Sequence, residues 1–441
     1  TFDFTHQDIS GKTNLHEELC RIQESEVNKE FDLIYGPIIR FHLVTEETEL
    51  NYLYITAHHL VCDGWSWAAI NTDLGIFYNC NLSGAPADLK PAFQFWQYVQ
   101  KQREYKTQNE NSVRYWKNQF ETIPTPLKLP LKGVRPSVRT FESKRIDKII
   151  EQSIVINLKR RSAEWGLSPY QLIYSLYLLS LYEISGQSDL VVGISAAAQS
   201  LIGKKDLVGH CVSLLPVRFV IDNNTSFKQH ALSVRKVMLD AFENQYCTFG
   251  EILKALKLER DISRIPLVSC IFNIDVQPTD QGLNFKDLKT KMSTVPRNFE
   301  NFELFINLTM TGDQVFLETQ YNTNLYTDKN IEFWAIKFKE LLEKVSRNKF
   351  NHDDLIANQD FLHNDIVFEE LKKPTTSLSF NYFPEVGLKL KKIWEELLGA
   401  YSENEINEES NFFNLGGHSL IVSDMIVQIQ KEFSQKITMK E

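Results

Sequence analysis

His58-His59-Leu60-Val61-Cys62-Asp63-Gly64 is the stretch from which the rest of this 441-residue chain is read. It ends a segment, Leu50 to His58, in which Tyr52, Tyr54 and Thr56 fall on one face and Leu53, Ile55 and Ala57 on the other. That period of two predicts a strand. If the strand holds to its end, only one of His58 and His59 can face a cleft, and the other is buried and hydrogen-bonded behind it. Asp63-Gly64 predicts a tight turn, followed by a helix from Trp67 to Tyr78. Asp63 is placed to fix that turn through a salt bridge to an arginine, and Gly64 lets a substrate or backbone pass close. An imidazole titrates near neutrality, so a positioned histidine can take the proton an amine loses as it attacks an activated acyl group, an effect of ~10²–10⁴-fold. Histidine pairs also occur as satisfied core or surface residues. The motif alone does not decide between the two.

Working outward, Asn14 to Asn28 reads as a helix with Leu15, Leu19 and Ile22 on one face, and Gly36-Pro37 breaks into a strand from Ile38 to Thr45. Beyond the motif, Phe93 to Phe120 has a helical pattern rich in Trp, Tyr and Gln. The prolines between Thr122 and Pro136 predict an extended crossover between two lobes. A strand follows at Thr140 to Ile150, then an apolar helix from Ser168 to Ser185. Further strands are expected at Leu190 to Ile194, Leu214 to Val220, Leu267 to Asp275, Phe302 to Thr311 and Val315 to Asn322. This mixture predicts two α/β lobes. Around Asn351 to Pro384 the pattern weakens into a linker, and a small helical segment follows, with Leu388 to Leu398, Phe412-Phe413 and Leu420 to Phe433.

Bulk properties narrow the function classes. The length suggests roughly two to four compact units. A net charge of −9 argues against a nucleic-acid partner, which needs a basic surface. Six cysteines without a CxxC pair give no zinc ribbon and no disulfide framework, as expected of a cytoplasmic protein. The most apolar run, Leu172 to Tyr182, is too short to span a bilayer, and no membrane partner is expected. The opening, Thr1-Phe2-Asp3-Phe4, carries neither Met nor a signal peptide.

A second motif, Asn411-Phe-Phe-Asn-Leu-Gly-Gly-His-Ser-Leu420, precedes an amphipathic helical pattern. Ser419 is either a helix N-cap after a Gly-Gly turn or a serine exposed for modification, since a helix N-terminus favours a phosphate.

Taken together, the motifs resemble the condensation domains of nonribosomal peptide synthetases, within the chloramphenicol-acetyltransferase-like superfamily. Phe31-Asp32-Leu33, Gly36-Pro37 and Arg40 resemble the family's FDL…GP…R segment, and His58 to Ser66 its HHxxxDG signature. Phe95 to Tyr98, Tyr115-Trp116, Asp189 to Gly193, Leu207 to Arg218, Arg260 to Leu267 and Tyr321 to Leu325 follow in the family's order. Asn411 to Leu420, with Trp394 and Leu397-Leu398-Gly399, resembles a peptidyl carrier. In this reading His418 belongs to the carrier signature, not to a metal site.

The resemblance implies an α/β (α+β) fold of two chloramphenicol-acetyltransferase-like lobes forming a V-shaped pseudo-dimer, plus a small C-terminal helical-bundle carrier. The implied domains are an N-terminally incomplete first lobe (1–135), a second lobe (136–365), a linker (366–385) and a C-terminally incomplete carrier (386–441). By the same resemblance His59 would contact the acceptor amine, His58 would be a buried support, Asp63 structural, and Gly64 would bring its N–H near the thioester. Arg218 is a candidate partner for Asp63. Ser419 would carry 4′-phosphopantetheine, placed there by a phosphopantetheinyl transferase. An upstream carrier would bring the donor, and an adenylation enzyme would load the acceptor in trans.

The chain departs from the family in lacking its opening Arg-His-x-x-Leu-Arg motif, in having Gln199-Ser200 for a Gly-Arg pair, and in having Glu303-Leu304 for an Asp-Leu. Epimerisation domains share HHxxxDG but normally follow their carrier, heterocyclisation domains carry DxxxxD, and plant-type acyltransferases carry a DFGWG segment absent here. A non-catalytic platform recruiting enzymes to the carrier is the alternative of another class.

Overall fold

The structure is a computed structural model that describes residues 3–47, 49–204, 206–258, 261–276, 284–311, 314–347, 353, 355–358, 384–398 and 419–433. The chain divides into two units, Thr1–Phe368 and Glu369–Glu441.

The first unit opens with β1 (Asp3–Asp8), which the sequence pattern did not announce, and α1 (Leu15–Asn28). Asn14 caps α1, its side chain accepting from the Glu17 N–H. β2 (Ile39–Glu47) runs parallel to β1 and antiparallel to β3 (Leu50–Ala57), closing a three-stranded sheet. Its buried core is small: Ile9, Ile22 and Val44, flanked by Leu15, Leu19, Tyr52 and Tyr54. Tyr52 and Tyr54 pack inward while Leu53 is exposed, as the predicted alternation requires; from Tyr54 to Ala57 every residue is half-buried and burial no longer alternates.

Three helices follow: α2 (Gly64–Ser83), α3 (Phe95–Glu104) and α4 (Lys106–Gln119). The expected single helix from 93 to 120 is thus two, divided at Tyr105, whose ring meets Tyr246 at 5.3 Å. The proline-rich segment, expected as an extended crossover, contains neither helix nor strand. It is tied to later strands and loops by the Lys128 N–H to Gln187 Oε1 and the Lys132 N–H to the Leu325 carbonyl.

The second half contains β4 (Ser143–Ile150), α5 (Gln152–Glu164), α6 (Pro169–Ser185), β5 (Asp189–Ala197), β6 (Val212–Val220), α7 (Phe227–Glu243), α8 (Phe249–Leu256), β7 (Cys270–Val276), β8 (Leu304–Thr311), β9 (Gln314–Asn322) and α9 (Asp328–Ser346). Its six strands order as β4-β9-β8-β7-β5-β6. β8 is parallel to β7 and β7 to β5, and the remaining pairs are antiparallel. The apolar run of the sequence is α6, buried continuously from Leu172 to Leu181 and started by Ser168, which caps it with Pro169 at its first turn. α5, α7, α8 and α9 were not among the expected helices. They cover this sheet and build one large core around Tyr174, Tyr177, Phe272, Trp334 and Phe338.

The two sheets of this unit are stitched together at α2. Asn79 Nδ2 donates to the Asn284 carbonyl at 2.7 Å, and the Lys286 N–H donates to Asn79 Oδ1 at 2.7 Å. In the second unit, α10 (Pro384–Leu398) and α11 (Ser419–Phe433) pack together, with Lys389 bridging to Glu432 at 3.1 Å and lying over the Phe433 ring. Phe412-Phe413, the Gly-Gly turn and nearly all of the expected linker lie outside the described residues.

Candidate active site

The strand does not reach the histidines. β3 stops at Ala57, and His58 to Val61 form a turn closed by the Val61 N–H to the His58 carbonyl at 3.0 Å. Strand alternation therefore does not separate the two imidazoles; this turn does. His58 is half-buried, not buried as expected, with its ring edge-on to Phe31 at 5.8 Å. Its Nδ1 accepts from the Leu60 N–H at 3.2 Å, which leaves the proton of the neutral ring on Nε2. Behind it, the Arg40 guanidinium sits 3.9 Å over the Phe31 ring and donates to the carbonyls of Glu26, Lys29 and Glu30. The Phe31, Arg40 and His58 side chains form one support behind the turn. His59 is exposed.

Asp63 is buried and is the N-cap of α2, so the helix begins at Gly64, three residues before the expected Trp67. Its Oδ1 accepts from the Ser66 N–H at 3.0 Å and lies 2.9 Å from Ser66 Oγ. Its Oδ2 accepts from Gln199 Nε2 at 2.7 Å and from the Cys211 N–H at 2.9 Å. Ser66 Oγ in turn accepts from the Asp63 N–H at 3.1 Å and the Gly209 N–H at 3.0 Å. This knot joins the start of α2 to the 198–212 connection between β5 and β6. A buried carboxylate is tolerated because all these donors converge on it.

Among the described residues, no arginine takes part. Arg218, the candidate partner, makes a bidentate pair with Asp189 at 2.9 and 2.7 Å and donates to the carbonyls of Gln119 and Thr122. The strand register explains this: Arg218 lies opposite Val191, which puts Asp189 diagonally across the β5–β6 pair on the same face. Gln199, noted in the sequence only as a departure from the family, fills the place at Asp63 instead.

The Phe95 ring packs directly over Gly209, so a Cβ there would force that ring to move. At Gly64 a Cβ would meet nothing within 4 Å, so no packing demands glycine and the space in front of it is open. The first amides of α2 lack acceptors within the helix and carry its positive end. An exposed imidazole thus stands a few residues before a helix N-terminus with open space at its first residue. Such a pairing can take up a proton and stabilise a developing oxyanion.

His210, which the sequence reading did not single out, faces this turn. Its Nδ1 lies 3.2 Å from His59 Nδ1, with ring centroids 4.8 Å apart and the planes at 85°. The neighbouring thiols of Cys62 and Cys211 are buried, and burial pushes both up to about 12, so they remain protonated at neutral pH. Among the described residues, no group of three or more His, Cys, Asp or Glu side chains could hold a metal ion, and no helix is long and apolar enough to cross a membrane. In the second unit Ser419 is the first residue of the fifteen-residue α11.

Residues 1–354 match the Condensation domain family, and residues 389–441 match the Phosphopantetheine attachment site family. Gramicidin S synthase 2 of Brevibacillus brevis is 27% identical over 357 residues, covering 80% of this chain and 8% of that protein. Bacitracin synthase 3 of Bacillus licheniformis is 26% identical over 324 residues, covering 72% of this chain and 5% of that protein. The chain therefore spans less than a tenth of the length of either relative. Among solved structures, the first condensation domain of the CDA synthetase superposes with a TM-score of 0.69 at 18% identity, covering 80% of this chain and 77% of that one. The X-domain from teicoplanin biosynthesis gives 0.68 at 19%, covering 81% of each. These likenesses establish the fold. With most of its length matched, the chain belongs to the condensation-domain family and carries a phosphopantetheine attachment domain, whose serine bears that group covalently, C-terminal to it.

Proposed function

We propose that this chain is a condensation–carrier didomain of a nonribosomal peptide synthetase. It joins an acyl or peptidyl thioester, brought by an upstream carrier, to an acceptor amine, with Ser419 as the serine that bears phosphopantetheine. The observation that carries the reading is the His59 turn, presented beside the open N-terminus of α2 and anchored through buried Asp63. His59 orients the amine and takes its proton as the C–N bond forms and the thioester C–S bond breaks, then returns that proton to the departing thiolate. The Gly64 N–H faces the oxygen of the tetrahedral intermediate. Asp63 touches no substrate; it fixes the loop. His58, backed by Phe31, holds the turn from behind.

Ser419 fits the attachment role because it starts a helix, where the amide dipoles favour a phosphodiester. The group it bears supplies a thiol on a long arm that tethers the acceptor. A domain division of 1–135, 136–365 and 386–441 goes with this reading. Residues 355–388 between the two family matches leave no room for an adenylation domain at that place, and loading of the acceptor by an adenylation enzyme in trans goes with this reading. Six free cysteines fit a cytosolic setting.

A recruiting role has one observation in its favour, the likeness at TM-score 0.67 to an X-domain solved in complex with OxyB. The presence of His59, Asp63 and Gly64 together favours catalysis. The test is intact-mass spectrometry of the full chain with a phosphopantetheinyl transferase and coenzyme A, followed by an acceptor and a loaded donor carrier. The expected sequence is a phosphopantetheine gain on Ser419, absent in Ser419→Ala, then transfer of the donor acyl group to the acceptor. A loaded chain that never receives the acyl group would leave recruitment as the function.

A further inference from the structure

We infer that His210 is a positioning residue for His59: hydrogen bonding between their Nδ1 atoms fixes the tautomer in which His59 turns an unprotonated Nε2 to the acceptor. The contact is short and directional, 3.2 Å between the two Nδ1 atoms with the rings edge to face. Two facing ring nitrogens at that distance hold one proton between them, since two donors would repel and two acceptors would leave no bond. The pair therefore selects a tautomer for each ring.

The backbone around His210 is built to hold it there. Gly209 gives its N–H to Ser66 Oγ and has its carbonyl 3.1 Å from the same oxygen. On the other side, the Cys211 N–H goes to Asp63 Oδ2, and its carbonyl accepts from the Ala198 N–H. Both neighbours of His210 are thus anchored in the Asp63–Ser66 knot, within a short turn of His59 itself. The knot that fixes one imidazole also fixes the other, although they lie 151 residues apart.

The titratable groups acting on His210 are His59 and Asp63. Burial, and then His59, lower its pKa below the usual imidazole value, while Asp63 and a hydrogen bond to the His59 backbone oppose them more weakly; this favours the neutral ring, which has one bare nitrogen to offer. The direction of the bond rests on the proposed role of His59. A base must present a bare Nε2, so its proton sits on Nδ1 and His210 Nδ1 accepts it.

The experiment is long-range ¹⁵N–¹H correlation NMR of the full chain labelled at histidine, near neutral pH, with His59 assigned by loss of its signals in His59→Gln. Expected is a protonated Nδ1 and a bare Nε2 on His59 in the native protein. His210→Phe should move His59 toward the Nε2–H form, and His210→Asn, whose carbonyl oxygen can still accept, should retain the native pattern. Loss of the native pattern in His210→Phe should lower kcat by roughly 10-fold with KM unchanged, the mark of a wrongly presented base. A His59 already in the Nε2–H form, or one unmoved by His210→Phe in a variant whose remaining spectrum is native, overturns the inference. The tautomer readout needs no substrate, so it stands apart from the failure of His59 as a catalyst, which is read from product formation.

Discussion

The two sheets of the first unit make unlike halves. Among the described residues, the three-stranded sheet rests on a core of three buried side chains, yet it leads into the turn that presents His59. The six-stranded sheet surrounds a continuous core through α6, Phe272, Trp334 and Phe338. Besides the Asn79 contacts, a second junction lies at the site itself. Asp63 and Ser66 reach from the thin half into the backbone of the 198–212 connection of the thick one. A turn standing on a small core would be free to move, and the larger half lends it rigidity through two backbone N–H groups and one amide. Precision at an active site needs support of this kind more than it needs bulk beneath the catalytic residue.

The comparison can be broken by mutation. Ile306 is fully buried in the thick half while Ile22 in the thin half is 7% exposed, so Ile306→Ala should cost about 4–5 kcal/mol and Ile22→Ala about 2–3. Thermal unfolding of the two variants checks the ranking, and equal losses would mean that the halves are equally dependent on their cores.

Acid should also find the thick half first. His230 is buried there with Nε2 3.4 Å from the Ser175 carbonyl, and burial lowers its pKa from 6.5 to about 4. The unfolded chain therefore binds the proton more readily. The stability this histidine contributes is complete above pH 6.5 and is lost as pH falls toward about 4, on the order of 3 kcal/mol. His230→Leu should flatten that part of the stability–pH curve; an unchanged slope would assign the acid sensitivity elsewhere.

The junction comes next in size. In Asp63→Asn an amide would face the donors of Gln199 and Cys211 in place of a carboxylate oxygen, a loss of about 1–3 kcal/mol. The same variant should slow product formation although Asp63 touches no substrate. Calorimetry together with a turnover assay tests this, and full activity in a destabilised variant would show that the knot is structural only.

Much of this was legible in the sequence. The alternation of Tyr52, Tyr54 and Leu53 placed β3, and Ser168-Pro169 started α6 within a residue. The HHxxxDG motif marked the break between β3 and α2, but the turn lies at His58 to Val61, and Asp63-Gly64, expected as the turn, instead caps and starts α2. What was not legible has physical reasons. The partners of Asp63 lie 136 and 148 residues away, and one is a backbone N–H, which no side-chain identity reveals. Arg218 had the right charge but the wrong register. His210 sat in a segment recognised for its neighbours, with nothing local to mark it as facing His59. Strand alternation ends with β3 at Ala57, and His58 and His59 are the two residues beyond it.

The central claim is that His59, exposed on the thin half, handles the proton of the reaction. Single-turnover transfer from a loaded donor carrier, compared between the native chain and His59→Ala, tests it most directly. The account predicts a rate lower by ~10²–10⁴-fold, with the melting temperature unchanged because the side chain is exposed and outside the knot. Transfer at the native rate in His59→Ala would contradict it.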